Sequence, residues 1–231
     1  MDRVHATPAA PARTIVLLGA AGVLLGGVEA AVLVDDGGTW LDLLFPLTAV
    51  HYWLCGLVIA ARRPANGTGA LLLLVAVTVF VTQLPAFGND VLTAIGLVFQ
   101  TVCLAAFLHV LLALPGGRLE TPTARRIVGV GYVMAVVANV HTWLFTPGPA
   151  GPGTVLRIGQ NAELVDVWRL GGSAVYGLVT AATVVVLVRR RRRVPAGQRP
   201  TIGALYDYGI VAALVLWAVP NIGRRAASTS S

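Results

Sequence analysis

Eight side chains with chemical capability lie inside long apolar stretches of this chain: Glu29, His51, Cys55, Gln100, Cys103, His109, Asn139 and His141. Polar groups in such surroundings are costly unless partnered, so each raises a functional question. One carboxyl, three imidazoles and two amides could line a polar ligand pocket or a proton-sensing cluster among packed helices. On that reading Glu29, His51, Gln100, His109, Asn139 and His141 are the ligand-sensing candidates. The competing reading is ordinary interhelical hydrogen bonding, worth about 0.6 kcal/mol per contact. Glu29 fits it least, because a carboxyl at that position must be paired, protonated or reached by water.

Other chemistries find little support. His51 and Cys55 share a helix face at i, i+4, but Cys103 and His109 are six residues apart and face different ways. A metal site is therefore not expected, and the cysteines read as small apolar side chains. Neither HExxH nor GxSxG occurs, and no catalytic residue or cofactor is expected. All 17 basic residues are Arg. Without Lys there is neither a P-loop lysine nor a Schiff-base amine, which excludes P-loop NTPases and retinal proteins. Asn66-Gly67-Thr68-Gly69 has no α/β unit around it and is not read as a nucleotide loop. Gly22 and Gly26 form a GxxxG, and Gly171-Gly172 precedes Ser173; both suit close helix packing.

The elements that must position these residues are apolar helices. The chain is 56% hydrophobic and 12% charged, against about 25% charged in soluble domains. Seven segments are long or apolar enough to consider as spans: Thr14–Val34, Leu41–Ala61, Gly69–Phe87, Val91–Leu114, Ile127–Phe145, Leu170–Val188 and Ile202–Ile222, the last interrupted by Asp207. The expected fold is all-α, a polytopic transmembrane bundle of about seven spans over residues 14–222. A tail of residues 1–13 precedes it, and a disordered tail of residues 223–231 follows. No cleavable signal peptide is expected.

Orientation follows from arginine. With the N-terminus cytoplasmic, inner segments hold Arg3, Arg13, Arg62, Arg63, Arg118, Arg125, Arg126, Arg189 to Arg193 and Arg199, while the outer loops hold Arg157 and Arg169 with six carboxylates. Cytoplasmic flanks collect Arg, so a plasma-membrane protein with its N-terminus inside is expected. Arg224 and Arg225 would then lie outside if the seventh segment crosses. The basic residues sit at helix ends beside lipid headgroups, an arrangement unlike a nucleic-acid surface.

Two stretches carry a resemblance. Gly56–Gly69 reads GLVIAARRPANGTG, and His109–Leu119 reads HVLLALPGGRL. In this order and two spans apart, they resemble the N-terminal membrane sensor region of actinobacterial two-component histidine kinases, whose loops read like RRPGNRTG and HLLLAFPSGRL. Pro64, Asn66, Gly69, His109, Pro115, Gly117, Arg118 and Leu119 match, and Cys55-Gly56 falls where those sensors often show Cys-Gly. The resemblance covers about Leu41 to Tyr132. It implies a sensory module that signals by shifted helix packing, in a homodimer or beside a kinase partner, with the lipid bilayer around it. The matched loop residues have structural roles: Pro64 and Pro115 stop helices, Asn66 and the glycines make tight turns, and Arg118 anchors at headgroups.

The kinases continue into a phosphoacceptor helix and an ATP-binding domain. No His follows His141 in these 231 residues, so this chain by itself is expected to phosphorylate nothing. A sensor cut short before an eighth helix and a stand-alone relative are both compatible with that departure. A small transporter or channel, which would need paired broken helices and polar groups meeting at the midplane, is the alternative. An integral membrane enzyme is a weaker one.

Overall fold

A computed structural model describes residues 12–145, 155 and 157–215. Among them are eight α-helices and no strand. The expected tails, and Ile222 with the arginines beyond it, lie largely outside the described residues.

Helix α1 (Ala12–Asp35) is followed by α2 (Leu44–Arg62), whose Pro46 is tolerated in the first turn, where no intrahelical N–H bond is lost. Pro64 ends α2 by forcing Arg63 out of helical geometry (φ −138°, ψ 67°). Helix α3 (Thr68–Thr82) continues into a 3₁₀ turn at Leu84–Phe87 that stops at Gly88, φ +64°. Asn89 then caps α4 (Asp90–Phe99), its side chain accepting from the N–H groups of Val91 and Leu92. After a break at Gln100-Thr101, α5 (Val102–Ala113) runs on to the extended Leu114 and to Pro115. Helix α6 spans Pro122–Phe145, and α7 spans Ala162–Arg192 from its Asn161 cap. A 3₁₀ turn and a π turn (Arg199–Gly203) lead into α8 (Ala204–Val215).

Each of the seven expected segments meets a helical column, with α4 and α5 sharing one. Five columns are long and apolar enough to cross a membrane: Arg13–Asp35, Leu44–Arg62, Asp90–Ala113, Pro122–Phe145 and Ala162–Arg192. Helices α3 and α8 are shorter in the described residues. Fifteen residues of α3 rise about 22 Å, and the 3₁₀ turn at Leu84–Phe87 lengthens that column.

The sixth column departs most from expectation. Its apolar stretch is Leu170–Val188, yet α7 begins at Ala162 and reaches Arg192. Glu163, Asp166 and Arg169 thus belong to the helix. Asn161 supplies the cap, its side chain accepting from Leu164 N–H, and Asp166 pairs with Arg169 one turn on. Hydropathy marks the part of a helix that leaves water. Glu and Arg are good helix formers and, with the Asp166–Arg169 pair, extend it beyond that part.

Helix α5 is the hub. It packs against α3, α6 and α7, and Val102, Ala105, Ala106, Leu108, Val110, Leu111, Leu112 and Ala113 are all buried. One core joins Ala49, Val75, Val79 and Phe80 to Ala106 and Val110; another joins Leu108 and Leu111 to Val179, Leu187, Tyr206 and Ala213. Helix α1 is peripheral, held on α2 where Gly22 makes room for the Trp53 ring and Gly26 for Val50. Trp53 Nε1 donates to Leu18 O at 2.8 Å. The GxxxG therefore serves packing within the chain. Outward faces stay apolar, with Leu24 and Leu178 each 70% exposed. Water would penalise such surfaces; lipid would not.

Candidate functional site

Two polar assemblies stand out: a joint between loops at one end of the bundle, and a network at the break in the fourth column, running from the exposed Gln100 to the buried Asn139.

The joint is built from the matched loops. Asn66 Oδ1 accepts from Thr68 N (2.9 Å) and Thr68 Oγ1 (2.7 Å), shaping the turn into α3. Its Nδ2 donates across to Pro115 O at 3.3 Å. Beside it, Gly67 and Gly117 meet backbone to backbone. A Cβ on Gly117 would stand 2.1 Å from Thr68 N, and one on Gly67 would stand 2.4 Å from Gly117 O. Gly117 also has φ +70°, a conformation costly to any side chain. One turn further in, Gly69 lies against Gly56 and Ala60, where a Cβ would come within 3.0 Å of backbone. Pro64 and Arg118 are exposed at the rim.

Arginine completes this end. Arg190 Nη1 donates to Leu112 O (2.7 Å) and Leu114 O (3.1 Å), satisfying carbonyls that the end of α5 leaves open. Arg191 forms an ion pair with Asp207 of α8, which accounts for the acidic residue in the seventh segment. Arg125 Nε donates to Leu119 O at 3.2 Å. The basic loops expected on the inner side therefore meet at one end of the bundle. Two of the five consecutive arginines have protein partners there, where headgroup anchoring was expected.

The second assembly sits at the break in the fourth column. Gln100 Nε2 donates to Asn139 Oδ1 at 3.2 Å, and Asn139 Nδ2 donates to Thr101 Oγ1 and Ala135 O, both at 2.8 Å. Thr101 Oγ1 donates to Ala135 O at 3.2 Å. From α7, Tyr176 OH reaches Thr101 O at 3.2 Å. A break within an apolar column frees backbone groups, and neighbouring side chains meet that demand here. Sequence reasoning paired neither Gln100 with Asn139 nor either residue with Thr101 and Tyr176. The polar dipeptide Gln100-Thr101 in an apolar run was the available signal. The fourth column, Asp90–Ala113, is the one interrupted in this way, and no second broken helix pairs with it among the described residues.

The remaining candidates do not join this network. His51 lies on the surface beside Cys55, with Nε2 to Sγ 3.7 Å. His109 Nδ1 faces Tyr132 OH at 3.4 Å. His141 stacks on Trp168 with ring centroids 3.9 Å apart. Glu29 is 2% exposed, and its Oε2 has no hydrogen-bond partner among the described residues. Among those residues, no group of three or more His, Cys, Asp or Glu could hold a metal ion. In the α1–α2 loop Asp42 accepts from Thr39 N (2.7 Å) and Thr39 Oγ1 (2.8 Å), which holds its carboxyl below the ordinary value.

Compared with known proteins, the chain matches no family model, no curated protein and no solved structure.

Proposed function

We propose that this chain is a membrane-embedded signal-input module of the kind that precedes the catalytic part of a two-component histidine kinase. The supporting observation is the joint: Asn66–Pro115 and Gly67–Gly117 bring the two matched loops into direct contact. Such a joint couples the α2–α3 hairpin to the α5–α6 hairpin. Arg190 links it to α7, so a displacement among the outer halves of the helices would reach the inner face as a rigid-body shift. We read the bundle as seven spans with the N-terminus cytoplasmic, because the arginine-rich loops share one end. Glu29 and the Gln100–Asn139 network are the places where a stimulus would act. The chain itself carries no phosphotransfer chemistry in this reading, and it works as a homodimer or with a kinase partner.

The test is reconstitution. A histidine kinase encoded beside this chain, or continuous with it, should change its autophosphorylation when the chain shares its vesicles, and Glu29→Gln should alter that response. Unchanged autophosphorylation would overturn the reading. The interrupted column favours the transporter as the second reading, since discontinuous helices bind solutes at mid-membrane. Solute flux in proteoliposomes, abolished by Asn139→Leu, would establish it instead.

A further inference from the structure

Between the end of α7 and the start of α8 lies a cavity of about 290 Å³, lined by Arg191, Arg192, Arg199 and Gly203. Ligand pockets run from about 300 to 1,000 Å³, so this one suits a headgroup better than a whole lipid. Two of its guanidiniums are oriented through their Nε atoms: Arg191 by Asp207 Oδ1 and Arg199 by Val194 O at 3.4 Å. The Arg192 side chain makes no ion pair or hydrogen bond among the described residues. Three cations face one carboxylate, leaving excess positive charge at the wall. The C-terminal carbonyls of α7 offset part of it, while the helical start at Arg199 adds to it. Asp207 thus acts as a strut for Arg191 without neutralising the site.

We propose that this cavity binds the phosphodiester headgroup of an anionic phospholipid. Guanidinium groups recognise phosphate oxygens by paired N–H donors. The cavity follows directly on the apolar stretch Val175–Val188, at the depth where headgroups begin once α7 spans a bilayer. A lipid so held would tie α7 to α8 through a ligand as well as through Arg191–Asp207. The inference requires membrane insertion but no signalling role.

The full chain is tested in vesicles of dioleoyl-phosphatidylcholine and dioleoyl-phosphatidylglycerol at equal amounts, with the retained lipids counted by native mass spectrometry. The wild type should prefer phosphatidylglycerol by about tenfold or more. Arg192→Gln with Arg199→Gln should remove most of that preference, and Arg192→Lys with Arg199→Lys should keep most of it. Arg62→Gln with Arg63→Gln should leave it intact. Equal losses in the two Gln pairs, or a Lys pair as defective as the Gln pair, would overturn the pocket. Millimolar inorganic phosphate should not displace the lipid. Displacement without any preference between the two lipids would assign the site to a free anion and overturn the lipid.

Discussion

At the joint between the matched loops, the α2–α3 and α5–α6 loops touch through backbone, with Gly67 and Gly117 leaving no space for a side chain. In the network around Thr101, by contrast, four side chains from α6, α7 and the α4–α5 break bridge helices through hydrogen bonds. The first arrangement tolerates no added atom. The second can exchange one partner for another at little cost, since interhelical hydrogen bonds in membranes are individually weak. Rigid coupling therefore belongs to the joint, and adjustable coupling to the network. A signal-input module would need both, with adjustment where a stimulus arrives and rigidity where its consequence leaves.

The sharpest way to break this contrast is Gly117→Ala. Positive φ and contact with Thr68 N should together cost about 3 kcal/mol, read as a lower unfolding midpoint in detergent. Gly116→Ala, with nothing near its added Cβ, should be almost neutral. Equal effects would mean that the joint is not tightly packed.

Arg190→Gln should cost about 2 kcal/mol, because it strips charge-assisted donors from two carbonyls. Arg189→Gln, at an exposed neighbour, should cost little. Similar losses at both would reduce the joint to general basicity. For the network, Asn139→Leu should cost about 1 kcal/mol. Combined with Tyr176→Phe it should lose less than the two single effects added, since both act through Thr101. Strict additivity would dissolve the network into independent pairs.

The smallest effect belongs to the loop between α1 and α2. The Asp42 carboxyl is held low by Thr39, so its contribution to stability is complete above the ordinary carboxylate value of about 4. It is lost as pH falls through the lowered folded value. Asp42→Asn should remove that small contribution at neutral pH, leave stability at acid pH below the lowered value almost unaltered, and so flatten the acidic limb, as seen in a pH series of unfolding midpoints.

Legibility in the sequence was uneven for physical reasons. Pro64 and Pro115 mark helix ends because a missing N–H and a fixed ring act locally. The GxxxG at Gly22 and Gly26 marks close approach because small residues have few other uses in apolar helices. The length of α7 was hidden, since Glu163, Asp166 and Arg169 look like loop to hydropathy while Glu and Arg favour helix and Asp166 pairs with Arg169 along it. Gln100 and Asn139 were each visible as polar residues in apolar runs. Their pairing was not, because 39 residues and a chain reversal separate them. Arg190 was indistinguishable from its four neighbours until its angular position on α7 was known.

By itself the sequence determined an all-helical chain, its apolar columns, and the gathering of arginine at alternate loops. Those properties are periodic or local, and each residue expresses them without knowing its neighbours in space. Tertiary structure alone decided that the two matched loops share one joint, that Arg190 turns inward while Arg192 faces a cavity, and that Asp207 braces Arg191. Such outcomes depend on which helix faces meet, and that is settled by steric fit summed over the whole bundle.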